Sequence, residues 1–297
     1  MTTEIYLTIY CPGDVTACLT TGTNSFIGSV DETTVLKYPH IPGDEKALAL
    51  LGLEARIFQA IGPHKHIIGF KGLTKDGLLL ERAPFGSISE YLKNNNPGLQ
   101  RRLEWVCQVT EALATVHKKR VLHRDISANN LLLDAELNVK LSDFQGRLLT
   151  PDGEVEEDGL SIENTKSFMP RVSSNYADWK TEIFALGSVF YYIMECQEPY
   201  PDLDPDLDEE QIVERFTSGQ FPTTECSSMD RVMHKCWAGE YDSVDAVFQD
   251  LKFVLECPMA IGVEEETMYH PAPNVTSRSQ ISSASCGDTK PAVQTYK

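Results

Sequence analysis

The chain has 297 residues, enough for one large domain or two small ones with a sizeable core. Its hydrophobic (41%) and charged (24%) fractions are those of an ordinary globular protein, which excludes a fibrous or wholly disordered chain. With 44 acidic against 26 basic residues the formal charge is -18, so the surface repels nucleic acid and anionic membrane, and neither is expected as a partner.

From residue 16 to 38, short β-rich runs alternate with turn residues: Thr20 to Asn24, Gly28 to Asp31, then Thr33 to Tyr38. The pattern predicts a small antiparallel meander. Pro42-Gly43-Asp44 then reads as a helix start with Asp44 as N-cap, the helix running to about Ile61 before Gly62-Pro63 stops it. Strands are predicted at Ile67–Phe70 and Leu78–Glu81. Leu99, Leu103, Val106, Val109, Leu113 and Val116 recur every three or four residues and give an amphipathic helix. Short strands are predicted at 131–133 and 139–141 around a turn at Asp134, and helices at 178–194, 208–217, 226–237 and 243–256. Residues 258–297, rich in Ser, Thr and Pro, read as a disordered tail.

The longest strongly apolar stretch, Phe184–Met194, is well short of a bilayer span and reads as a buried helix. No basic segment followed by an apolar one opens the chain, so no secretory signal is expected. Eight cysteines without paired or metal-like spacing fit reduced thiols, which places the protein in the cytoplasm or nucleus.

The residues that carry chemistry are clustered. His123-Arg124-Asp125 lies five residues before Asn130, between the apolar runs Val121-Leu122 and Leu131-Leu132-Leu133. Ser142-Asp143-Phe144-Gln145-Gly146 closes the next strand, with Asp143 eighteen residues after Asp125. Two such motifs in this order resemble the catalytic and metal-binding loops of the eukaryotic protein kinase superfamily, with this chain a divergent member of its serine/threonine or tyrosine-kinase-like branch. The resemblance implies an α+β, two-lobed fold. A small β-rich lobe to about residue 81 and a larger helical lobe over about 82–257 make up one kinase domain, 1–257.

The resemblance also implies roles. Phosphoryl transfer asks of a protein mainly positioning and charge, and the family uses ATP and Mg²⁺ to phosphorylate protein substrates. Asp125 becomes the catalytic base, and Asn130 and Asp143 the metal ligands. Lys37 on the strand Thr34–Lys37 becomes the lysine that holds the α- and β-phosphates, with a helical glutamate as its partner. Glu45 and Glu54 compete for that place. Glu54 shares a helical face with Leu50, Leu51, Ile57 and Phe58, where a charge must find a partner, whereas Glu45 in the first turn simply suits the helix dipole. Glu54 is therefore the choice.

Gly22 and Gly28 stand in the place of the family's phosphate-covering glycine loop, although two of three glycines remain and at altered spacing. Val30, Val35 and Leu132 would sandwich the adenine, Leu80 would be the gatekeeper, and the backbone from Glu81 to Ala83 would bond the purine. Arg124 in the family often grips a phosphate on the activation segment, here 144–170, where Thr150, Ser161, Thr165 and Ser167 are candidate phosphosites. The segment's acids, including Glu154, Glu156, Glu157 and Asp158, are the alternative partners for Arg124. Phe168-Met169-Pro170-Arg171 replaces the family's Ala-Pro-Glu. Since Arg171 stands for an acid, a reversed ion pair with Glu240 or Asp242 is expected.

Two departures bear on rate. The family supplies a cation two or four residues after the base, and this chain has Ser127 and Asn129 there. Gln145 takes the place of the glycine of the metal-binding loop, leaving Gly146 to serve one residue later. A nucleotide- or partner-binding pseudokinase scaffold is the alternative reading, and a small-molecule phosphotransferase a third. The acidic run Asp202–Glu210 reads as a solvated loop capping a helix rather than a magnet for basic substrates. Oligomeric state is not readable from the sequence.

Overall fold

A computed structural model describes residues 6–256 and 292–295. They divide into two compact units, one of residues up to 52, 70–82 and 292–295, the other of 53–69 and 83–256.

The first unit is built on a five-stranded antiparallel sheet in the order β2-β3-β4-β6-β5. Its members are β2 (Ala17–Thr21), β3 (Ser25–Ser29), β4 (Thr34–Pro39), β5 (Phe70–Leu73) and β6 (Leu78–Glu81). All six residues of the central strand β4 are buried. The turn into β4 closes because Asp31 Oδ1 accepts both the backbone N–H (2.7 Å) and the hydroxyl (3.0 Å) of Thr33. Alternate β4 residues face opposite ways. Leu36 and Tyr38 pack with Val15, Phe26, Val30 and Leu79 on one face. A separate antiparallel pair joins β1 (Tyr6–Ile9) to β12 (Ala292–Thr295); apart from that strand, the tail expected over 258–297 lies outside the described residues.

Helix α1 (Glu45–Ile61) begins where Asp44 Oδ1 accepts the N–H groups of Lys46 (3.0 Å) and Ala47 (3.1 Å), and it stops at Gly62, whose φ of +76° only glycine adopts without strain. In place of the strand expected from Ile67, Ile67 and Ile68 pair with Leu141 (Ile68 N–H to Leu141 O, 2.9 Å), and β5 starts at Phe70. The apolar run is satisfied by a different strand.

The second unit is helical. Its long helices are α3 (Leu99–Lys118), α4 (Trp179–Glu195), α6 (Ser227–Trp237) and α7 (Val244–Glu256), with shorter α2 (Ile88–Asn94) and α5 (Glu209–Thr217). The periodic apolar residues of α3 become its buried face, Leu103, Val106, Val109, Leu113 and Val116 all being fully enclosed. Asp178 and Thr181 form a reciprocal cap at the start of α4. At its end Arg102 Nη1 donates to the carbonyls of Ile193 (2.6 Å) and Met194 (2.8 Å), orphan acceptors that a cation suits. Gly187 lets α6 approach α4, since a Cβ there would lie 2.9 Å from Cys236 Cβ and 3.1 Å from the Trp237 ring nitrogen. Trp237 Nε1 donates to Ser188 Oγ at 3.1 Å, which satisfies the polar end of a ring whose burial contributes on the order of 2 kcal/mol.

Five short strands sit among these helices: β7 (Val121–Leu122), β8 (Leu131–Leu133), β9 (Val139–Leu141), β10 (Arg147–Leu149) and β11 (Val155–Asp158). β8 and β9 form a hairpin, and β11-β10-β7 a three-stranded sheet. Among the described residues no helix is long and apolar enough to cross a membrane.

Candidate active site

The β8–β9 hairpin pairs Leu131 with Leu141, which sets Asn130, just before one strand, beside Ser142 and Asp143, just after the other. Ser142 donates its N–H and its hydroxyl to Asn130 O, each at 2.9 Å. Helix α3 fixes the hairpin's far end. Gln108 accepts the Val139 N–H at 2.8 Å, and Trp105 Nε1 donates to Leu137 O at 2.8 Å. Thus a helix and a tight hairpin bring together two loop positions thirteen residues apart in sequence.

Asp125 joins them from the loop after β7. Asn130 Nδ2 donates to Asp125 Oδ2 (2.8 Å) and to Asp125 O (2.9 Å), so the amide both orients the carboxylate and closes the loop. Its carbonyl oxygen remains as an acceptor. Together with the Asp143 carboxylate it offers hard oxygen donors that could hold Mg²⁺. Burial, with smaller contributions from the charges of Asp143 and Glu163, pushes the Asp125 carboxyl above the usual range. A raised pKa in a polar cleft suits a group that takes a proton.

His123 is buried and braces both loops. Its Nε2 donates to Ser142 O (2.8 Å), and its Nδ1 accepts the Asp125 N–H (3.3 Å). Phe144 stacks edge-on between His123 and Phe58, at centroid distances of 4.9 and 5.0 Å. Arg124 (φ +64°) and Asp143 (φ +65°) both sit in the left-handed region, so the two loops carry strained backbone next to the candidate base and metal ligand.

Gln145 donates to Glu54 Oε2 at 3.4 Å, and Glu54 is fully buried while Glu45 is exposed. Gly146 serves packing, not torsion. A Cβ on it would lie 1.9 Å from Leu122 O and 2.5 Å from His123 O, and its φ is not left-handed. The idea that it supplies the flexibility lost at Gln145 is therefore corrected.

Arg124 donates from its backbone to Glu182 Oε1 (2.5 Å) and from Nη1 to Asp158 Oδ1 (3.2 Å). Arg171 pairs with Glu163 at 2.8 Å and lies 3.7 Å over the Phe168 ring, both charges being buried. The expected pairing with Glu240 or Asp242 is thus incorrect: Asp242 meets Lys180 at 3.3 Å, and the acid that answers Arg171 lies eight residues upstream of it.

Ser127 is buried and Asn129 Oδ1 accepts the Ser89 hydroxyl at 2.6 Å, so neither position offers a cation. Beside them opens a polar cavity of about 300 Å³ lined by Lys93, Asn164, Lys166 and Tyr192 among others. Lys166, which the sequence did not single out, is buried with Nζ donating to Tyr200 O at 3.0 Å. Leu132 is half-buried between fully buried Leu131 and Leu133, its side chain turned away from the core they enter. Ala83 O accepts the Gly86 N–H at 3.3 Å. The acidic run is self-contained: Arg215 forks onto Asp202 (3.0 and 2.7 Å), and Asp204 accepts the N–H groups of Asp206 and Leu207.

In the first unit, Lys37 is buried on β4, and β4–β6 pairing sets Thr34 opposite Glu81 at the end of β6. The register corrects one nucleotide-site expectation. Ser29 lies opposite Val35 and Ile27 opposite Lys37, so these four share a face. Val30 instead packs with Leu36 and Tyr38 on the other face, because it sits one residue out of step with Ser29. Gly28 belongs to that second face too, where a Cβ would lie 2.5 Å from Val15. Gly22 opens the β2–β3 turn, its N–H donating to Ser25 O at 2.8 Å.

A β-rich unit with a buried lysine on its central strand, and a helical unit that gathers Asp125, Asn130 and Asp143, define a protein-kinase fold. The family model of protein tyrosine and serine/threonine kinases matches residues 15–249, and the chain belongs to that family. It is 28% identical over 195 residues to Fer-related kinase 1 of Caenorhabditis elegans, covering 62% of this chain and 48% of the relative. It is 29% identical over 147 residues to serine/threonine-protein kinase STE11 of Saccharomyces cerevisiae, covering 47% and 20%. A dual serine/threonine and tyrosine protein kinase of Apis mellifera is 27% identical over 222 residues, covering 67% and 22%. The chain spans less than half the length of these relatives.

Proposed function

We propose that the protein is an ATP-dependent protein kinase that transfers the γ-phosphoryl group to serine or threonine hydroxyls of a protein substrate. One observation supports this most: the hairpin sets Asn130 and Asp143 together, and Asn130 in turn holds the Asp125 carboxylate. In this reading Asp125 accepts the proton of the attacking hydroxyl, which enters by the polar cavity beside Ser127 and Asn129. Asn130 and Asp143 hold Mg²⁺, which when bound offsets charge on the transferring phosphoryl group. Lys37 and Glu54 take the roles of the phosphate-holding lysine and its partner. Val35, Leu132 and the Glu81–Ala83 backbone receive the adenine, and Gly22 with the β2–β3 turn covers the phosphates.

Serine/threonine is chosen over tyrosine because the loop lacks the arginine four residues after the base that tyrosine kinases carry. The named relatives include a serine/threonine kinase and a dual serine/threonine and tyrosine kinase. Phosphoamino-acid analysis of a substrate protein labelled with γ-³²P-ATP tests it, with phosphoserine and phosphothreonine expected. Label on tyrosine alone would refute the assignment. A second reading, a pseudokinase scaffold, is favoured by Ser127 and Asn129. A missing cation in a water-poor site costs roughly 3 kcal/mol of transition-state stabilisation, or about a hundredfold in rate. Mg·ATP raising the melting temperature without any transfer would select it.

A further inference from the structure

Glu157 and Asp158 end strand β11, and consecutive residues of a strand point to opposite sides. They accordingly reach different partners. Glu157 takes a two-pronged grip from Arg56 of α1, Nε and Nη2 each donating at 2.5 Å. Asp158 takes Arg124 Nη1 on Oδ1 (3.2 Å) and Arg147 Nε on Oδ2 (2.7 Å), while Oδ1 also accepts the Leu160 N–H (2.9 Å). Arg147 is used up in turn, donating to Asn175 O (2.9 Å) and Oδ1 (2.5 Å) just ahead of α4.

We propose that Asp158 is a positioning residue for phosphoryl transfer, a built-in carboxylate that fixes the catalytic loop through Arg124 so that no phosphate on the activation segment is needed. The proposal rests on the kinase reading of Asp125. Arg124 is 3% exposed, and a guanidinium cannot shed its charge, so a buried one needs an acid at hand. Asp158 is such an acid, already part of the chain. Arg124 also holds a left-handed backbone, which persists only if the surroundings enforce it. Glu182 enforces it at the backbone and Asp158 at the side chain, and the next residue is Asp125. Loss of the outer grip frees the loop that carries the base, and misplacement by about 1 Å is enough to cost rate.

The experiment uses the full chain. Transfer to a substrate protein is measured for wild type before and after a broad-specificity protein phosphatase, with loss of phosphate confirmed by mass spectrometry. The same assay is run on Asp158→Asn, which keeps the shape and removes the charge, on Asp158→Glu, and on Arg147→Ala. Hydrogen exchange is followed over residues 120–130. We expect dephosphorylated wild type to keep its rate within about twofold, and Asp158→Asn to lose roughly ten- to a hundredfold in kcat with KM for ATP unchanged. Asp158→Glu recovers most of that loss, Arg147→Ala lowers kcat less than Asp158→Asn, and exchange over 120–130 quickens in Asp158→Asn.

A tenfold or greater fall on dephosphorylation overturns the proposal. So does an Asp158→Asn protein that melts earlier yet keeps kcat, which would make the residue merely structural. If the wild type transfers no phosphate, the kinase reading fails instead, and exchange decides: unchanged protection over 120–130 in Asp158→Asn rejects the positioning role.

Discussion

Glu182 accepts the backbone N–H of Arg124 at 2.5 Å with one oxygen and pairs with His117 Nε2 at 2.7 Å with the other. The carboxylate is fully buried, and in the kinase family an aspartate usually stands at this point of the helix. The longer side chain lets one acid join α4 to both α3 and the catalytic loop. Glu182→Ala leaves a buried N–H and a half-buried imidazole without their acceptor, and should destabilise the second unit by about 3–5 kcal/mol in urea unfolding. Glu182→Gln, which keeps an acceptor for Arg124, should cost less than half as much.

Asp125 should show the conflict between stability and chemistry. Burial raises its pKa, so the folded protein binds the proton more tightly than the unfolded chain. Ionising this group therefore weakens the fold as pH rises from about 4, the unfolded value, through the raised folded value. Asp125→Asn removes that penalty, and thermal melts at pH 7 should show the variant no less stable than wild type. Activity has the opposite sign. The proposed base works ionised, so kcat/KM should fall as pH drops through the raised pKa, at a pH above that of an ordinary aspartate.

Arg171 and Glu163 form a buried pair that adding salt should barely weaken. Removing one partner strands the other. Glu163→Ala is expected to cost about 3–5 kcal/mol, whereas the double substitution Glu163→Leu with Arg171→Met should recover most of it. The surface pair Arg56–Glu157 makes the contrast. With Arg56 half exposed, Glu157→Ala should cost no more than about 1 kcal/mol, and less at high salt. Chemical denaturation at two ionic strengths checks both.

Two glycines of the same segment separate packing from torsion. Gly146→Ala drives a Cβ into the Leu122 and His123 carbonyls, backbone atoms that cannot give, and should cost about 3 kcal/mol or more or prevent folding. Gly153 has open space around it and a φ of +85°, so Gly153→Ala should cost only about 1–2 kcal/mol. Equal effects in unfolding titrations would contradict this account.

Much of this was legible in the sequence wherever the signal is local. Asp44 announces α1, the three-to-four-residue apolar spacing announces α3, and the Leu131–Leu141 hairpin follows from Leu131-Leu132-Leu133 and the alternating Val139-Lys140-Leu141 around an Asp-led turn. Helix α2 was missed because seven residues hold too little periodicity, although Ser87 and Glu90 spell its capping box. Strands β10 and β11 were missed because they are three and four residues long, and β11 is almost wholly acidic. Partners across the fold were the least legible. The family analogy points Arg171 to distant acids, whereas its partner Glu163 lies eight residues upstream in the same segment. The resemblance implies Val30 at the adenine, whereas strand register, which reverses a face with each residue, puts Ser29 on the face of Val35.

The central claim, that Asp125 with Asn130 and Asp143 makes this chain a phosphotransferase, is tested most directly by γ-³²P transfer to a substrate protein in Mg·ATP, comparing wild type with Asp125→Asn. The account predicts slow but measurable label from the wild type and a fall of at least about a hundredfold in a variant that still melts as cooperatively. Equal labelling by the two proteins would contradict it.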